Sequence, residues 1–323
     1  MADNPNDSLL NGLPSIITAR QFSEQQLIEM RKVASAGSYD DILLGTYGSY
    51  ARREASAQSD LDFFTICRSS KDIARAKEML AQTGPQLTKI AGRPPSAGGA
   101  FGEVEDLDTM LSNIGGNDDH NSKITRRILF LLEGEWLNNE GFLSEARNEL
   151  LARYVRNSIT SHQLALFLLN DVIRYYRTIC VDFEFKTIED ESPKPWGTRN
   201  IKLVFSRKLL YFSGILAVAE TAQRSYAEKT RVLHELLSMP VIDRVLHICG
   251  PRALQALKLY DEFMSALSRE EVRRALDTTN EDQRSQEPFR RLKDIGHHFS
   301  WKLLAVLRET YDSSHPIHRA IVM

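Results

Sequence analysis

The chain is poor in cysteine. Cys67, Cys180 and Cys249 are the only three in 323 residues, and no two of them stand in a CxxC spacing. That argues against a disulfide framework and a thiolate zinc site. No run of about 18 apolar residues occurs. The opening "MADNPNDSLLNGLPS" is acidic and polar where a secretory leader would be basic and then apolar. A cytoplasmic protein that neither spans nor crosses a membrane is expected. Neither charge dominates: 41 Lys and Arg face 43 Asp and Glu, a net charge of -2, so there is no overall basic field to draw in a large nucleic acid. Fixed-period repeats and low-complexity tracts are also missing.

What is present is the composition of an ordinary globular protein, 42% hydrophobic and 26% charged, on a chain long enough for two cores. Residues 1–20 read as a flexible arm. "FSEQQLIEMRKVAS" then offers Ser23 as an N-cap with Gln26 three residues on, and Leu27, Ile28, Met30 and Val33 at helical spacing, a helix ending near Gly37. "DDILLGTYG" and "LDFFTIC" are short apolar runs that predict buried strands. Between them "SYARREASAQ" predicts a short helix and a turn. "SSKDIARAKEMLAQ" predicts an amphipathic helix with Ile73, Ala76, Met79 and Leu80 inward. After the proline- and glycine-rich "GRPPSAGGAFGEVEDLD", which leaves room for a strand over 100–105, the pattern becomes helical to the end, with an irregular joint at "EDESPKPWGTRN". The predicted organisation is an α/β (α+β) domain over 21–115 and an all-α domain over 116–323.

Chemistry concentrates in "LLGTYGSYARREASAQSDLDFFTIC", Leu43 to Cys67. Gly48 follows a strand and Ser49 is expected to open a helix, so backbone N–H groups and a hydroxyl face whatever lies at the strand end. Asp60 and Asp62 flank Leu61. On a strand both carboxylates project to one face and Leu61 to the other. Two like charges side by side call for a counter-charge. Mg²⁺ (or Mn²⁺), which prefers hard oxygen ligands and completes its shell with water and substrate phosphates, fits that demand.

Gly48-Ser49, ten intervening residues and Asp60-Leu61-Asp62, set on strand-helix-strand, resemble the signature of the DNA polymerase β-like nucleotidyltransferase superfamily. "GSYARREASAQSDLDFF" is most similar to its small bacterial members. The resemblance covers about residues 38–68 closely and 22–110 loosely. It implies a small mixed sheet, an NTP substrate, and transfer of an NMP to a hydroxyl or phosphate acceptor with release of pyrophosphate. It further implies that Asp60 and Asp62 are catalytic metal ligands and that Gly48 and Ser49 hold the β- and γ-phosphates. A third carboxylate on a neighbouring strand completes the family's metal site. Glu103 in "GAFGEVEDL" is the first candidate, with Glu105, Asp106 and Asp108 as rivals; an acidic helix start explains "EVEDLD" equally well.

Arg52 or Arg53 is placed to reach the triphosphate. In "WGTRNIKLVFSRKLLYF" a cationic ridge of Arg199, Lys202, Arg207 and Lys208, with Ser206, either faces the cleft or lies on an outer face. Lys202 is the first choice as a nucleotide ligand. Tyr175 or Tyr176 offers a stacking surface for a base, against a plain core role. His297, His298, His315 and His318 are read as capped or solvated, and Asp118, Asp119 and Ser122 as a helix start with a conceivable role at the acceptor. A protein or small-molecule acceptor is favoured over RNA. The alternatives are a catalytically weak nucleotide-binding regulatory or interaction protein, and an antitoxin-like partner of a helical toxin.

Overall fold

The computed structural model describes residues 7–37, 39–93, 100–101, 104–189 and 194–322. It is mostly helical, with one mixed sheet of four strands, an α+β arrangement. Strands β1 (Ile42–Tyr47), β2 (Asp62–Cys67), β3 (Glu105–Asp106) and β4 (Glu135–Trp136) lie in the order β3-β2-β1-β4. β1 pairs antiparallel with β2, which sets Tyr47 opposite Asp62, and antiparallel with β4; β3 runs parallel to β2.

β1 reads as an unbroken apolar run because both of its faces are covered. Ile42 and Leu44 join Leu27, Met30, Ala76 and Met79 in one core. Leu43, Phe64 and Ile66 turn the other way into the large core built with Ile128, Phe130 and the following helices. Gly45 has no side chain because the ring of Phe64 lies across it. The sheet thus gains β4, and the cover of its second face, from beyond residue 115, which corrects the expectation that 116–323 is all-α: Glu135–Trp136 is a strand because it pairs with the other edge of β1.

Two local expectations are corrected. The stretch read as an arm is helical from Pro14, within a helix Pro14–Ala34. Proline suits a first helical turn because the N–H it lacks would be unsatisfied there. The Ile16 N–H is accepted by Asp261 Oδ1 at 2.8 Å, so a residue 245 positions away serves this helix end. Ser23 sits mid-helix, buried, donating to the Ala19 carbonyl at 2.7 Å and accepting the Ala55 N–H at 3.0 Å. The second correction is at Ser49, which opens a single turn and not a helix. The Arg52 and Glu54 N–H groups close on the Gly48 and Ser49 carbonyls at 3.0 and 2.8 Å. Arg53 then adopts φ 62° and ends the turn.

The helices Trp196–Lys202 and Lys208–Ala219 are joined by a π-helical turn, Leu203–Arg207. Phe205 stacks on Phe263 at 4.4 Å and on Phe299 at 5.3 Å. Gly296, in the helix Phe289–Thr310, makes room for this bulge, since a β-carbon there would run into Val204 and come within 3.2 Å of Phe205. Among the described residues no helix is long and apolar enough to cross a membrane.

Candidate functional site

One cavity of about 410 Å³ opens between the sheet end, the start of the helix Pro14–Ala34 and the helical body. Gly48, Ser49, Arg52, Asp60, Asp62 and Lys202 all line it, joined by Ser206, Arg207 and Arg273. The acid pair, Gly48-Ser49, one of the two arginine candidates and Lys202 therefore meet in one place. Glu103 lies outside the described residues.

Only Asp62 of the acid pair belongs to β2, with Asp60 and Leu61 just before it, yet the expected alternation holds. Leu61 is fully buried in the smaller core, while Asp60 and Asp62 turn to the cavity. The Asp62 carbonyl accepts the Thr46 hydroxyl at 2.6 Å, fixing the first residue of β2 to β1. Burial, then the charge of Asp60, pushes the Asp62 carboxyl up to about 6, against the pull of Arg207 and Lys202. Gly48 has φ 77°, and a β-carbon on it would stand 2.9 Å from Asp62 Oδ2. Glycine is needed twice there, for the backbone and for the carboxylate above it.

The cations come from the helical body. In a regular α-helix Lys202 and Arg207, five residues apart, would point about 140° away from each other. The i→i+5 turn between them brings both, with Ser206, to the cavity. Lys202 and Arg273 have no side-chain hydrogen bond or ion pair among the described residues. Burial holds the Lys202 ammonium below its usual range although Asp60 pulls the other way. Arg273, from the helix Glu270–Thr278, is also held low by burial, with Asp60 again opposing. The cavity lining also includes the apolar side chains of Phe22, Phe263, Met264 and Leu267.

Other expectations fall differently. Arg52 lines the cavity, but its Nε donates to Glu54 Oε2 at 2.8 Å and its Nη1 to Glu133 Oε2 at 2.6 Å, which makes it part of the frame. The Gly48 N–H, expected to meet phosphate, is given to Glu133 Oε1 at 3.2 Å. Glu105 pairs with Arg126, and Asp106 caps the helix Leu107–Leu111 through the Thr109 N–H. Arg53 bonds Glu24 and Glu135. Lys208 donates to the Ser300 hydroxyl at 2.6 Å, away from the cavity. Tyr175 is buried and Tyr176 stacks on Tyr211 at 4.5 Å; neither lines the cavity. Asp119 is buried against Arg127, at 2.7 and 2.8 Å, with Tyr154 and Asp171 in the same network. His315 Nδ1 accepts the Ile317 N–H and His318 bonds the Tyr311 carbonyl.

Sequence reasoning missed Arg273 and Glu133. Nothing local marks Arg273. Glu133 had a signal, an acid directly after the apolar run "ILFLL". It ends the helix Asn121–Glu133 with a side chain wholly out of solvent. Among the described residues no three His, Cys, Asp or Glu side chains cluster as metal ligands do. Compared with family models and with curated proteins, the chain matches none.

Proposed function

We propose that the protein is a metal-dependent nucleotidyltransferase. A nucleotidyltransferase-like unit over 21–115 carries the acids, and a helical unit over 116–323 closes the cleft. The observation that carries this reading is the meeting, in one cavity, of an acid pair and Gly48-Ser49 with the cations Lys202, Arg207 and Arg273. An acid pair beside a group of cations suits a ligand that brings both a metal and several phosphates.

The donor set fits a hard cation: Asp60 and Asp62 face the cavity, and their mutual repulsion is what a cation relieves. These two carboxylates would hold Mg²⁺ or Mn²⁺, which supplies neutralisation of the charge on the transferring group. Ser49, Lys202, Arg207 and Arg273 bind the phosphates and hold the α-phosphorus in line with the acceptor. The acceptor oxygen bonds to that phosphorus and the bond to the β-phosphate oxygen breaks. Pyrophosphate leaves with the bonding pair, and the acceptor's proton passes to a carboxylate of the site. The apolar side chains of Phe22, Phe263, Met264 and Leu267 take the base or a small acceptor.

A second reading, a nucleotide-binding module without transfer, is favoured by the engagement of Glu105 and Asp106 elsewhere. One experiment separates the two. Purified protein is incubated with each α-labelled NTP and Mg²⁺ or Mn²⁺, beside Asp60→Ala/Asp62→Ala, following pyrophosphate and transfer of label to lysate components. Pyrophosphate and label transfer from the wild type alone support the enzyme. NTP binding with no pyrophosphate leaves the binding module.

A further inference from the structure

Glu133 sits behind the cavity wall and gathers three donors that belong to it. Its Oε1 accepts the Gly48 N–H at 3.2 Å and Arg207 Nη1 at 3.3 Å, and its Oε2 accepts Arg52 Nη1 at 2.6 Å. Its side chain is completely shielded from water, whereas that of Arg207 is 31% exposed and reaches the cavity. Burial pushes the Glu133 carboxyl up, but Arg52 and Arg207 outweigh it and hold it below the usual carboxylate range. Arg207 stands within electrostatic reach of Asp62, yet its ion pair is with Glu133, and none joins it to Asp62 among the described residues.

We infer that Glu133 is a positioning residue whose carboxylate keeps Arg207 off Asp62, leaving the Asp60–Asp62 pair open to a divalent cation. The inference rests on the metal-dependent reading given above. An arginine beside a carboxylate closes on it unless another acid holds it more tightly. Glu133 is that acid, and its hold on Gly48 and Arg52 keeps the turn under Asp62 in place at the same time. Without the Glu133 charge, Arg207 is released toward Asp62, and the local field turns less favourable to a cation. Both effects act in the same direction.

The test measures Mn²⁺ binding to the full chain by electron paramagnetic resonance, with no nucleotide present. Wild type is compared with Glu133→Gln, Glu133→Asp, Arg207→Gln, Glu133→Gln/Arg207→Gln and Asp62→Asn, each checked for folding by circular dichroism. Glu133→Gln is expected to weaken Mn²⁺ about tenfold, the size of effect one nearby charge has at a partly buried site. Glu133→Asp, which keeps the charge, stays near wild type. Removing Arg207 as well restores most of the lost affinity while Arg207→Gln alone adds little to the wild type, a pattern that loss of one cation by itself would not produce. If Glu133→Gln does not fold, the doubly substituted chain and Glu133→Asp carry the comparison, and weak Mn²⁺ binding by both overturns the inference. Tight binding by folded Glu133→Gln, with Asp62→Asn impaired, also overturns it and leaves the metal site standing. If the wild type binds no Mn²⁺, or Asp62→Asn binds as the wild type does, the metal-dependent reading falls and this inference with it.

Discussion

The carboxylate of Asp62 rests directly over the α-carbon of Gly48, so close that a β-carbon on Gly48 would stand 2.9 Å from Oδ2. Their strands bring them together: Tyr47, the residue before Gly48, is the register partner of Asp62. Gly48→Ala is therefore expected to cost about 1 kcal/mol for the positive φ alone, and to displace Asp62 besides. The check is a thermal unfolding midpoint beside a Mn²⁺ titration. Stability should fall modestly and metal affinity severely. An alanine variant with wild-type metal affinity would show that the contact does not shape the acid pair.

The Asp62 carboxyl is raised to about 6 from an ordinary 3.8 by burial and by Asp60. The folded state thus binds the proton more tightly than the unfolded chain does. Its contribution to stability is fully present below pH 3.8 and is lost as pH rises through about 6. In EDTA, Asp62→Asn should remove a loss of roughly 3 kcal/mol between those limits. The variant then unfolds at a higher temperature than wild type at pH 7, with the difference vanishing near pH 4. Adding Mn²⁺ should close the gap at pH 7 by stabilising only the wild type.

Among the described residues Lys202 has no ion-pair partner, and burial disfavours its charge. Lys202→Gln is expected to leave the unfolding midpoint unchanged or slightly raised. Equilibrium binding of MgATP should weaken about tenfold or more, as removal of a charged phosphate contact does. An unchanged affinity would remove Lys202 from the proposed phosphate site.

Gly296 and Val204 fit together only because one of them lacks a β-carbon. Gly296→Ala should push the π-helical turn out of place at a cost of about 1–3 kcal/mol. MgATP affinity should fall with it, because Lys202 and Arg207 flank that turn. Val204→Ala in the same chain should recover both. Failure of the double variant to recover affinity would separate the packing from the site.

Asp119 is the buried counter-ion of Arg127. Asp119→Asn should destabilise the protein by about 3–5 kcal/mol, the usual consequence of breaking one side of a buried pair. Denaturant unfolding measures it. A small loss of stability with a large loss of turnover would instead return Asp119 to the acceptor site.

The sequence by itself determined what depends on near neighbours. Strand alternation around Leu61 sets Asp60 and Asp62 on one face, and the apolar runs on either side of the turn fix which strand each acid borders. Gly48 and Ser49 are marked in the same way, by residue type and by the few residues around them, whereas the side Lys202 faces was left open. Tertiary structure decided everything that depends on a partner far along the chain. The helix end at Pro14 is completed by Asp261, and Ser23, a cap by spacing, is buried mid-helix against Ala55. Glu133 takes the Gly48 N–H and Arg52 that the sequence had assigned to phosphate. Arg207 faces the cavity because Gly296 admits a π-helical turn. A period of 3.6 or 2 reports which face a side chain occupies. Only the packed chain settles which charge stands opposite it, since a buried ion takes its partner from whichever element is pressed nearest.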